Sequence, residues 1–273
     1  MTTSTHGAEC ICGVIIMSDI ILKTENLARH FGRFPAVENL SLDIYKGDIY
    51  GFLGLNGAGK TTTIRMLLRL IRPESGRISI FGKDLNSDYL EIMRSIGGLV
   101  EIPAFYPYLS ARDNLLILTR LRMISPSSLR YSIVDELLSA VGLKARADDR
   151  IRTYSLGMKQ RLGVAGALLP AFIPQRISNQ TPLIILDEPT NGLDPQGIAD
   201  IRNLIKKLNK ENQVTFFISS HLLSEMELLC NRVGIIRQGR LVISEDLAKL
   251  LKEEGIEITE PKRPLEKYFM GLM

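Results

Sequence analysis

Residues 54 to 62 read GLNGAGKTT and follow the apolar run IYGFL at 49 to 53. Strand, glycine-rich loop and helix start in that order fit the pattern G-x-x-x-x-G-K-[ST], a loop that cradles phosphates. Gly54, Gly57 and Gly59 let the backbone turn so that the N–H groups of Leu55, Asn56, Ala58 and their neighbours point inward. The following helix then presents its positive end to the same anion. Lys60 is expected to reach the β- and γ-phosphates, Thr61 to offer its hydroxyl to Mg²⁺, and Thr62 to add a further amide. This stretch predicts a nucleoside-triphosphate site on a mostly parallel α/β sheet.

Working outward, the chain alternates strand and helix patterns. Residues 20 to 53 are β-rich, with Gly and Pro between the runs, and read as strands joined by hairpins. TTIRMLLRLI reads as the helix after the loop, ending before Pro73, and ESGRISIFGKDL as a turn and short strand. From about 103 to 150 the periodicity is helical, as an inserted lobe would show. LGMKQRLGVAGALL is a further helix, PLIILDEP and QVTFFISS are buried strands, and RVGIIRQGRLVISE is a hairpin turning at Gln-Gly. The fold class expected is an α/β P-loop NTPase core with an antiparallel β subdomain and a helical subdomain at about 103–175.

Bulk properties narrow the partners. The chain has 273 residues, 45% hydrophobic and 23% charged, with a net charge of +4 that is too small to argue for nucleic acid. Apolar runs such as VIIM at 14 to 17 fall far short of the roughly 20 residues that cross a bilayer. Three cysteines are too few and scattered for a disulfide framework. Residues 1–19 are set outside the fold, as an over-long start or a disordered tail. The domain is placed at 20–250, with a C-terminal tail at 251–273. PAFIPQRISNQTP, at 170 to 182, reads as a surface loop.

Four companions accompany the phosphate loop. LIILDE at 183 to 188 ends an apolar strand in two carboxylates, Asp187 suited to the Mg²⁺ shell and Glu188 to the attacking water. YSLGMKQR at 154 to 161 opens a helix, PTNGLDP at 189 to 195 follows the acidic pair, and His221 ends the strand FFISSH. Upstream, Phe31 in LARHFG offers a face for a base.

As a set, in order and spacing, these motifs resemble the ABC (ATP-binding cassette) ATPases over Ile20 to Lys249. The resemblance implies that Ser155 and Gly157 act across a dimer on the partner's ATP and that Asp194 communicates between the two sites. It also implies that His221 contacts the γ-phosphate and Phe31 stacks on adenine. Two copies would sandwich ATP, with Mg²⁺, and pass their motion to a separate membrane permease from the cytoplasmic face of the membrane. Three departures stand out. Glu101 in GGLVEIPAFYP replaces the family's usual Gln and is expected to join Thr61 and Asp187 as a metal ligand. Leu156 and Met158 replace Gly and Gln of the signature, and the loop after Leu169 is long. Glu101, FYP and YSLGMKQRLG resemble the branch that exports bacitracin and lantibiotics or protects against them. The alternative is a non-transport relative acting on DNA or ribosomes. It is disfavoured because one cassette stands here without an intervening coiled coil.

Overall fold

The computed structural model describes residues 20–101, 103–174 and 180–253. The 1–19 extension, residues 254–273 of the tail and positions 175–179 of the long loop lie outside the described residues. The strands are β1 (Ile20–Phe31), β2 (Phe34–Tyr45), β3 (Ile49–Leu53), β4 (Ser75–Ile80), β5 (Lys83–Asp84), β6 (Ile96–Leu99), β7 (Leu183–Asp187), β8 (Thr215–Ser220), β9 (Arg232–Arg237) and β10 (Arg240–Asp246). The helices are α1 (Lys60–Leu67), α2 (Tyr89–Arg94), α3 (Ala111–Leu121), α4 (Ser127–Ala140), α5 (Leu156–Leu168), α6 (Pro195–Asn212), α7 (Leu223–Leu229) and α8 (Leu247–Glu253).

Every residue of β3, β7 and β8 is buried, the mark of parallel strands covered on both faces. They lie inside a six-stranded sheet of order β10-β9-β3-β8-β7-β6. All its pairings are parallel except that of β9 with β10. Alternation divides the core. Ile184, Leu186, Phe216 and Ile218 face a cluster built with α3, α4, α5 and α6. Leu183, Ile185 and Phe217 face the antiparallel sheet β2-β1-β4-β5 together with Tyr50, Phe52 and residues of α1. The Phe217 ring lies 5.8 Å from that of Tyr50 and 5.2 Å from that of Phe52.

Parallel register sets the site. Leu53 pairs with Ser220, and Asp187 with Ser219, so the carboxyl ends of β3, β7 and β8 share one edge. That edge is where open α/β sheets bind ligands.

Two local readings change, and one strand is new. No strand is read at β6 from the sequence, because Gly97 and Gly98 weaken any strand pattern. A Cβ on Gly97 would lie 1.7 Å from the Ala167 carbonyl oxygen, so close packing on α5 demands glycine there. α1 ends at Leu67, short of Pro73, with Arg69 in the left-handed region. In the lobe, helix begins only at Ala111, where Ser110 accepts a hydrogen bond from the Asp113 amide.

Candidate active site

The phosphate loop is clamped from outside. A Cβ on Gly59 (φ 110°) would meet the Ala36 carbonyl oxygen at 2.4 Å, and one on Gly54 would meet that of Ile236 at 2.6 Å. The Gln238–Gly239 turn, with both residues at positive φ, donates from the Gly239 amide to the Ala58 carbonyl at 2.9 Å. Gly57 instead has open space where its Cβ would be. Gly59 caps α1 without a side chain, and no acidic residue stands in the first turn. The amides of Lys60, Thr61 and Thr62 are therefore left for an anion.

Lys60 is buried. Its ammonium donates to the carbonyls of Gly54 (2.7 Å) and Leu55 (3.2 Å) and lies 3.6 Å from Glu188 Oε1. Burial lowers its pKa, and the Glu188 and Asp187 carboxylates oppose that shift. The Thr61 hydroxyl donates to Asp187 Oδ2 at 2.8 Å, and the Ser219 hydroxyl holds Oδ1. These hard oxygens fit Mg²⁺, which takes few protein ligands beside substrate phosphates. No cage of three or more His, Cys, Asp or Glu exists among the described residues.

Glu188 sits in the left-handed region (φ 46°) just past β7, with its amide donating to Ser219 Oγ at 3.0 Å. Its Oε2 meets His221 Nδ1 at 2.9 Å and Asn191 Nδ2 at 2.7 Å. Five residues picked from sequence, Lys60, Thr61, Asp187, Glu188 and His221, thus converge.

The others are spread around this centre. Glu101, exposed and at positive φ, gives its carboxylate to Arg65 at 2.7 Å, one turn along α1 from Thr61. It has no contact with the Thr61–Asp187 pair, and that ion pair would have to open for Glu101 to reach a metal there. Ser155 caps α5 by accepting from the Met158 amide, beside Gly157, and Asp194 caps α6 by accepting from the Gly197 amide. Phe31 lies at the β1–β2 tip under the Arg29 guanidinium. Its cross-strand partner Phe34, 60% exposed, lines the groove beside Leu55 to Ala58. Sequence reading passed over Phe34, Asn191 and Gln160. The buried Gln160 donates from Nε2 to the carbonyls of Glu188 (3.3 Å) and Pro189 (3.2 Å), tying α5 to the acidic strand's end.

A clamped phosphate loop facing a carboxylate pair at the carboxyl edge of a parallel sheet defines a P-loop nucleoside triphosphatase. The chain belongs to the ABC transporter family, whose profile matches residues 37–191. It is 50% identical over 222 residues to the bacitracin transport ATP-binding protein BcrA of Bacillus licheniformis, covering 81% of this chain and 68% of that protein. It is 38% identical over 226 residues to the lantibiotic transport ATP-binding protein SrtF of Streptococcus pyogenes, covering 83% and 91%. The fold matches the dimeric, post-hydrolysis ATP-binding cassette MJ0796 bound to ADP and Pi. The TM-score is 0.73 at 25% identity, over 83% of this chain and 99% of that one. The protein is accordingly an ATP-binding and ATP-hydrolysing subunit of an ABC transporter.

Proposed function

We propose that this subunit drives export of, or self-protection against, a peptide antibiotic of the bacitracin or lantibiotic kind, through a separate membrane permease. The observation that carries the catalytic part is the convergence of Lys60, Thr61, Asp187, Glu188 and His221 at one sheet edge. The substrate class is supported by the likeness to BcrA and SrtF.

The loop amides and Lys60 bind the β- and γ-phosphates of ATP, and Phe31, with Phe34 beside it, supplies aromatic surface for the base. Thr61 and Asp187 would hold Mg²⁺, which would neutralise charge on the β- and γ-phosphate oxygens. Glu101 would join them as a ligand only if its ion pair with Arg65 opened. Glu188 accepts the proton of the attacking water, and His221 holds that carboxylate and faces the γ-phosphate. Ser155 and Gly157, at the free end of α5, act on ATP held by a second copy. Asp194, at the cap of α6, links the two sites of that homodimer.

No helix among the described residues is long and apolar enough to span a membrane. In this reading the path belongs to the permease, and this chain docks on its cytoplasmic face. Support for the docking surface is a groove of about 1180 Å³ between the sheet edge and the helical subdomain, lined in part by Leu90, Phe105, Leu121 and Met123. Leu90, Leu121 and Met123 are 77%, 74% and 85% exposed, more apolar surface than a free face keeps without reason. Tyr106 and Tyr108 are exposed at the end of the same segment.

The test is to express the chain with the membrane proteins encoded beside it in a bacitracin-sensitive host. Raised tolerance to bacitracin or a lantibiotic that is lost in Lys60→Ala supports the reading. Unchanged sensitivity with the complex assembled and hydrolysing ATP would reject the substrate class.

A further inference from the structure

We propose that Asn191 is a positioning residue for the hydrolysis step, holding one oxygen of the Glu188 carboxylate so that the other is left to take the water's proton. It rests on Glu188 being the proton acceptor. Oε2 already meets two donors, Asn191 Nδ2 at 2.7 Å and His221 Nδ1 at 2.9 Å. Among the described residues Oε1 accepts no hydrogen bond within 3.5 Å and forms only the looser ion pair with the Lys60 ammonium, at 3.6 Å. Two donors on Oε2 fix the rotation of the carboxylate and leave Oε1 as the oxygen with lone pairs to offer the water.

The turn is built for this contact. The Asn191 amide donates to the Glu188 carbonyl at 3.2 Å across Pro189 and Thr190, which brings the first and fourth side chains of the turn together. Proline at the second turn position presets its φ. The same carbonyl accepts from Gln160 at 3.3 Å, and Glu188 keeps its left-handed φ of 46°, so the backbone under the carboxylate is pinned from both sides. In the reaction the water oxygen bonds to the γ-phosphorus while the bond from that phosphorus to ADP breaks. The water's proton passes to Oε1 and leaves with the phosphate. Without Asn191, Oε2 keeps one hydrogen-bond partner instead of two, and the carboxylate rotates more easily.

The experiment measures steady-state ATPase and ADP affinity of the purified full chain for wild type, Asn191→Ala, Asn191→Asp and Glu188→Gln. Asn191→Ala should lose about tenfold in kcat, the worth of one orienting hydrogen bond, with KM, ADP affinity and Tm unchanged. Asn191→Asp should fall below Asn191→Ala in kcat, because a carboxylate in place of the amide repels Glu188 instead of donating to it. Asn191→Ala with wild-type kcat, a loss shared by ADP affinity, or Asn191→Asp as active as wild type would overturn the inference. Undiminished turnover in Glu188→Gln would remove its premise instead, which separates the two failures.

Discussion

Lys60 is a cation held off water between two backbone carbonyls and two carboxylates, and its lowered pKa says that burial outweighs their attraction. The charged form is the penalised one in the folded state. Its cost is therefore present at neutral pH and relieved as pH rises through the folded pKa toward 10.5, so this group makes stability increase in that alkaline window. Lys60→Met is expected to raise the Tm of the nucleotide-free protein in calorimetry. The same variant should weaken ATP binding by about 1.5 to 3 kcal/mol in titration calorimetry, since the lost bond is charge-assisted. Asp187 differs, because its two oxygens are already taken by Thr61 and Ser219. Asp187→Asn should leave nucleotide binding without Mg²⁺ near normal while removing the gain that Mg²⁺ confers.

At the scale of elements, the phosphate loop works because neighbouring elements press on it where only glycine fits. Gly59→Ala would drive a Cβ into the Ala36 carbonyl at 2.4 Å and at a φ that side chains avoid. It is expected to cost about 1 to 3 kcal/mol in urea unfolding and to weaken ATP binding as well. β3, β7 and β8 were legible in the sequence as unbroken apolar runs, and the β9–β10 turn was legible in Gln238–Gly239. β6 was not, since its Gly97–Gly98 pair answers to packing on α5 and not to strand propensity. The same split runs through the site. Lys60 and Thr61 open the helix after the phosphate loop, Asp187, Glu188 and His221 stand at strand ends, and all five fall in spaced motifs and could be named. Asn191, Gln160 and Arg65 act through a turn and through helix packing, which no local pattern records.

For the whole molecule, the proposed docking surface is the exposed apolar rim of the groove between α2, α3 and the start of the helical subdomain, where a membrane partner would take up motion from the nucleotide edge. Leu121→Glu with Met123→Glu is expected to release the subunit from membranes carrying its permease, read by fractionation. Basal ATPase of the isolated subunit should stay intact, since neither residue touches the phosphate loop. Closure of two copies over ATP should itself be visible once hydrolysis is blocked. The most direct measurement is size-exclusion chromatography of Glu188→Gln with ATP and Mg²⁺, followed by analysis of the bound nucleotide. A dimer retaining about two unhydrolysed ATP molecules, while wild type elutes as a monomer and releases phosphate, is the expected result. A Glu188→Gln protein that stays monomeric and turns ATP over at the wild-type rate would contradict the account.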